Sequence, residues 1–184
     1  MQNINHELTW INSTGGPLIV LEADFLPYWG GCFKKVGESK TDAEQRARHD
    51  FTDYDRACNI ADYLGIIDVG PGKGVVLGDE PMQTAWWMIP EGRGTILVRW
   101  QWAADEDAIV RILNDSAEQV WKPTGLSLYV SGSELVLFDS ACAGSDPGLT
   151  SKVQLQTGNY SIETAFCQPD KSLSIILHRL VSKS

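Results

Sequence analysis

The chain has 184 residues, 43% of them hydrophobic and 21% charged, and a formal net charge of −9. That length suffices for one domain with a substantial core, and that composition excludes an intrinsically disordered chain. The negative balance argues against direct nucleic-acid binding, because each phosphate contact needs a protein cation.

The excess charge is unevenly placed. Residues 1–49 carry six acids and five bases, residues 50–139 fifteen and six, and residues 140–184 three and four. An acidic middle suits a partner with a basic surface, whose approach it would accelerate and orient, and it also serves solubility. From Met1 to Trp10 no basic stretch precedes an apolar run, so no signal or transit peptide is expected. No apolar run approaches the roughly 18 residues of a membrane-spanning helix, and a cytoplasmic protein is expected. Cys32, Cys58, Cys142 and Cys167 are far apart and form no C-x-x-C pair. They read as reduced, mostly buried thiols, with neither disulfides nor a zinc site.

In chain order, Gly15-Gly16-Pro17 breaks the chain before Leu18-Ile19-Val20-Leu21, a short strand-type run. Trp29-Gly30-Gly31 makes a turn. Thr41-Asp42-Ala43-Glu44 is a capping box that predicts a short helix to about His49. A second helix is predicted from an N-cap at Asp53 to a stop at Gly65, with Tyr54, Ala57, Cys58, Ala61 and Leu64 recurring at helical spacing. Asp55, Arg56, Asn59 and Asp62 fall on its other face. Four residues apart, Tyr54 and Cys58 share one side and are expected to pack inward, the phenol hydroxyl finding a buried partner. Cys58 lacks the cationic or histidine neighbour that would activate a thiol, since Arg56 is on a different face.

Gly70-Pro71-Gly72-Lys73-Gly74 lacks the spacing of a phosphate loop and reads as a tight turn between strands at 66–68 and 75–77. Alternation from Thr95 to Trp102 puts Ile96, Val98, Trp100 and Trp102 on one face and Leu97, Arg99 and Gln101 on the other. The two tryptophans read as core, with an exposed aromatic anchor as the alternative. Asp105 can cap a helix burying Ala108, Ile109, Ile112 and Leu113, although Ile109 to Leu113 also suits a strand. Asp105, Glu106 and Asp107 in its first turn are favoured by the helix dipole and form the densest acidic cluster of the chain.

Further on, Leu126, Leu128 and Val130 alternate, Ser131-Gly132-Ser133 turns, and Glu134 to Phe138 returns as the second arm of a hairpin. Val153 and Leu155 precede a Gly158-Asn159 turn. Tyr160, Ile162, Thr164 and Phe166 share one strand face, and Leu173 to Val181 makes the last strand. The strings Gly74–Asp79 and Glu134–Asp139 both run through Val-Leu to an aspartate, an echo that leaves two similar β lobes open. The expected fold is α+β in a single domain over 1–184, mostly antiparallel β-sheet with two or three short helices.

The order of a Trp-x-Gly string, Trp29-Gly30-Gly31, and a Tyr-x-x-x-Cys string, Tyr54 to Cys58, resembles the immunity protein 21 family of bacterial polymorphic toxin systems. Trp10-Ile11, Ser13 ahead of Gly15-Gly16-Pro17-Leu18, Leu77-Gly78-Asp79-Glu80-Pro81 and Leu137-Phe138-Asp139-Ser140-Ala141 add to the resemblance, which spans most of the chain. It implies a small α+β protein that binds and neutralises a toxin, protecting the producing cell and its kin. On this reading Trp29, Gly30, Gly31, Tyr54 and Cys58 serve the fold. Asp55, Asp62, Asp79, Glu80, Asp105, Glu106 and Asp107 are the candidate toxin contacts.

The expected partner is a toxin domain with a basic surface, met by a monomer or weak homodimer. Catalytic residues, cofactor, metal, nucleic acid and membrane have no part in this reading. His6, His49 and His178 have no sequence-local partner for a triad or metal motif. Two alternatives stand beside it: a β domain whose tryptophans stack on a small molecule, and a hydrolase using Asp79-Glu80 with Asp139 as a carboxylate pair.

Overall fold

The structure, a computed structural model, describes residues 8–32, 52–78, 80–89, 94–114 and 119–183. Strand makes up 48% of it and helix 14%, in two mostly antiparallel sheets with three short helices, so the α+β expectation holds. Among the described residues no helix is long and apolar enough to cross a membrane. The chain divides into two compact units.

The first unit comprises Met1–Asn12, Met82–Leu135 and Ser151–Ser184. It contains β4 (Thr84–Met88), β5 (Gly94–Trp102), β6 (Lys122–Val130), β8 (Ser151–Val153), β9 (Gly158–Asp170) and β10 (Leu173–Ser182). Its sheet runs in the order β4-β5-β10-β9-β6. The central strand, β10, is buried at each of its first six positions, as a strand covered on both faces is. Ile175 pairs with Trp100 and Cys167, and Leu177 with Val98 and Ala165. Pro123 lies in β6, an edge strand, where a missing backbone donor breaks no inner ladder.

Against this sheet packs a helix, Glu106–Asn114, numbered α2 here. The Asp105 carboxylate accepts from the Ala108 amide at 2.8 Å, and Ile109 and Leu113 are buried with Val98, Ile175 and Leu177. The helical reading of this segment therefore prevails over the strand: Arg111, which would share a strand face with Ile109 and Leu113, is exposed while they are buried. Trp100 packs edge-on against Trp10, ring centres 5.2 Å apart, whereas Trp102 at the end of β5 is 45% exposed. Phe166, expected on the face of Tyr160 and Ile162, is 59% exposed, because burial on β9 passes to its other face at Ala165 and Cys167.

The second unit comprises Ser13–Pro81 and Val136–Thr150. It contains β1 (Leu18–Glu22), a 3-10 helix (Ala23–Tyr28), α1 (Asp53–Cys58), β2 (Gly65–Val69), β3 (Gly72–Leu77) and β7, whose bounds are Leu135–Asp139. The strand order is β2-β3-β1-β7. β1 and β7 are buried at every position. Ile19, Leu21, Trp29, Ala57, Val69, Val76, Val136 and Phe138 make the core. Gly70-Pro71 turns β2 into β3 as expected, with Val69 opposite Gly72.

Three expectations change here. The helix predicted from Asp53 to Gly65 is only Asp53–Cys58, with Thr52 as its N-cap in a capping box closed by Asp55. Asp53 does not cap, because its carboxylate accepts from the Gly30 amide at 2.8 Å and from Arg56 at 2.9 Å. The predicted hairpin of 126–130 with 134–138 does not form: β6 pairs with β9, and β7 lies beside β1. β7 is buried at every position, with Val136 and Phe138 in the core of the second unit, whereas β6 is a largely exposed edge strand of the other sheet. The echo between 74–79 and 134–139 falls on β3 and β7, which flank β1 in one sheet and so do not mark two lobes. The helix predicted over 41–49 lies outside the described residues.

Candidate interaction site

The strings singled out in the second unit converge through the backbone. Trp29 is 2% exposed, and its indole N–H donates to the Ser140 carbonyl at 3.0 Å. Its own carbonyl accepts from the Gly144 amide at 2.9 Å. Two residues on, Gly31 has φ +59, and a Cβ there would lie 2.5 Å from the Ala141 and Cys142 backbone. Only glycine combines that left-handed conformation with so close an approach. The Cys32 amide donates to the Ala141 carbonyl, and the Tyr54 amide to the Gly31 carbonyl, at 3.0 and 3.1 Å. The Trp-Gly-Gly turn thus joins α1 to the 139–144 turn.

Asp139 secures that turn. Its carboxylate, 6% exposed, accepts from the Thr14 amide and hydroxyl at 2.7 and 2.9 Å and from the Ala141 amide at 3.0 Å. Ser140 donates its hydroxyl to the Pro17 carbonyl at 2.6 Å. Asp139 is therefore committed to holding 14–17 against 139–141, and its proposed partner Asp79 lies outside the described residues.

Beside this junction is a cleft of about 340 Å³. Gly15, Gly16 and Pro17 form one wall, Tyr54, Ala57 and Cys58 of α1 another, and Ile60, Ala61 and Gly78 the rest. The Tyr54 phenol lies where a Cβ on Gly16 would be, so glycine at 16 is what admits the ring. Tyr54 is half-buried, as helical spacing predicts in part, but Cys58 is exposed, contrary to the inward packing expected of it. The physical reason is the short helix: it ends at Cys58, and the Ile60 amide turns back to the Ala57 carbonyl, leaving only Ala57 buried.

The Tyr54 hydroxyl is pushed up to about 12, first by its hydrogen bond with Cys58, then by burial and by the charges of Cys58, Cys32 and Asp139. Burial and the charges of Asp139, Asp55 and Cys58 raise the Cys32 thiol. Burial, then Asp139, Asp146 and Cys32, raise the Cys142 thiol. Neither the Cys32 nor the Cys142 thiol is activated, since each titrates above its ordinary range. Among the described residues no group of three or more His, Cys, Asp and Glu could hold a metal ion.

The acidic candidates divide between the units. Asp55 holds the Thr52 amide and hydroxyl at 2.8 and 2.7 Å, bonds that lower its carboxyl below the usual range. Asp62 and Glu80 are exposed. Asp105, Glu106 and Asp107 are in the first unit, where Glu106 accepts from the Trp10 indole at 2.9 Å and the Leu8 amide at 3.4 Å. Glu106 is thus partly engaged inside its own unit, while Asp105 and Asp107 are exposed. Sequence reasoning missed Gly16, Ala61 and Gly78 as lining residues, since glycine and alanine carry no chemical signal. The glycine pair before Pro17, read only as a chain break, is the signal that could have found the close approach at Gly16.

A profile of immunity protein 21 matches residues 9–173, from ahead of the Gly-Gly-Pro string to the start of β10. The chain belongs to the immunity protein 21 family. No curated protein and no solved structure matches it. The junction of Trp29, Gly31, Tyr54 and Asp139 in this immunity protein 21 member lies entirely within the matched region.

Proposed function

We propose that this protein binds a cognate bacterial toxin domain in a stoichiometric complex and neutralises it in the cytoplasm of the producing cell, without catalysis. The family match over 9–173 carries this reading. The charge supports it, because a protein of net charge −9 attracts and orients a basic partner over distances that short-range contacts cannot reach.

Co-expression with the toxin domain encoded beside it should restore growth, and the two should co-purify. Growth arrest despite abundant folded protein would contradict the reading. The association rate should fall as salt is raised from low to physiological ionic strength, where the Debye length is about 8 Å, while the dissociation rate changes little. Stopped-flow mixing across that range checks it; a salt-independent association rate would remove electrostatic steering.

A further inference from the structure

We propose that the cleft between the Gly15-Gly16-Pro17 wall and α1 receives a basic side chain, arginine or lysine, of the toxin. This deepens the proposed function and rests on it. Size and lining come first. About 340 Å³ is room for one long side chain, and the walls of Pro17, Ala57, Ile60 and Ala61 are apolar, as a methylene stem requires. The exposed part of the Tyr54 ring offers a surface on which a guanidinium can stack.

Charge comes second. The residues of the unit that contains the cleft include fourteen acids and seven bases, against ten and eight in the other unit. The negative excess therefore belongs mainly to the unit with the cleft. At its edge Asp62 follows the lining residue Ala61, and the Asp62 carbonyl lies 2.5 Å from where a Cβ on Gly78 would be. The described cations of this unit, Arg56 and Lys73, are already bridged to Asp53 and Asp68 at 2.9 and 2.6 Å.

Cys58 gives a direct test, because it is exposed and lines the cleft. Brief alkylation with iodoacetamide followed by peptide mapping should show Cys58 reacting several-fold more slowly once the adjacent-gene toxin domain is bound to saturation. Ala61→Arg, which sets the protein's own cation in the cleft from an exposed position, should weaken toxin binding by about a hundredfold with an unchanged melting temperature. Asp105→Asn with Asp107→Asn, in the other unit, should alter only the association rate, and modestly. Undiminished Cys58 alkylation in a saturated complex, or full affinity in folded Ala61→Arg, overturns the cleft assignment and leaves toxin binding standing. No complex with the unmodified protein overturns both.

Discussion

Trp29→Ala should destabilise the protein by about 3–5 kcal/mol in urea unfolding followed by circular dichroism. The indole is buried among Ile19, Leu21, Val76, Val136 and Phe138, so its loss opens a cavity in the core of the second unit. It also leaves the buried Ser140 carbonyl without its donor, which alone costs about 1–3 kcal/mol. Trp29→Phe separates these terms, since it keeps most of the packing and loses the donor; a loss of about 1–2 kcal/mol is expected. Gly31→Ala should act through the backbone instead. Left-handed alanine costs about 1–2 kcal/mol, and the new Cβ would meet the Ala141 and Cys142 backbone at 2.5 Å, where no flexible side chain can give way. A Trp29→Ala variant within about 0.5 kcal/mol of the parent would show that the Trp-Gly-Gly turn anchors nothing.

Acidification should weaken the fold well before the carboxylates titrate, through His178. Its ring lies in β10, 0% exposed, with Nδ1 2.8 Å from the Thr164 hydroxyl. Burial, and secondarily the positive charge of Arg99, lower its pKa from 6.5 to about 3. Between those values the unfolded chain holds a proton that the folded protein does not, so stability falls as pH drops through 6.5 and is unaffected above it. The unfolding equilibrium should shift by close to tenfold per pH unit, on the order of 3 kcal/mol between pH 6.5 and 4.5. Over that interval Asp55, Asp68 and Asp170, whose pKa values are lowered below 3.8, remain ionised and do not contribute. His178→Leu should flatten the slope even if it lowers stability at neutral pH. An equal slope in the variant would assign the acid sensitivity elsewhere.

What could be read from the sequence was local. The Gly70-Pro71 turn, the strand from Thr95 to Trp102 and the capped helix after Asp105 each depend on neighbours within a few residues, and the structure has all three, although Trp102, expected as core, is exposed. The helix at 53–65 was misjudged because Ala61 and Leu64 continue the spacing after the hydrogen bonding has stopped at Asn59. Pairing between distant strands was out of reach: whether β7 joins β6 or β1 depends on which core covers its two faces, and periodicity is silent on that. The junction was hidden for the same reason. Thr14 and Asp139 are 125 residues apart, and Trp29 and Ser140 are 111 apart, yet each pair is in direct contact. The family strings could be seen individually; that Gly15-Gly16-Pro17 and Tyr54 to Cys58 face each other across one cleft needed the fold.

The central claim is that this immunity protein 21 member neutralises a toxin by holding it. Isothermal titration of the purified adjacent-gene toxin domain, with toxin activity assayed at each point, tests that directly. A one-to-one complex, with activity falling linearly to zero at equivalence, is the predicted result. Full toxin activity in the presence of excess folded protein, or inhibition by catalytic amounts of it, would contradict the account.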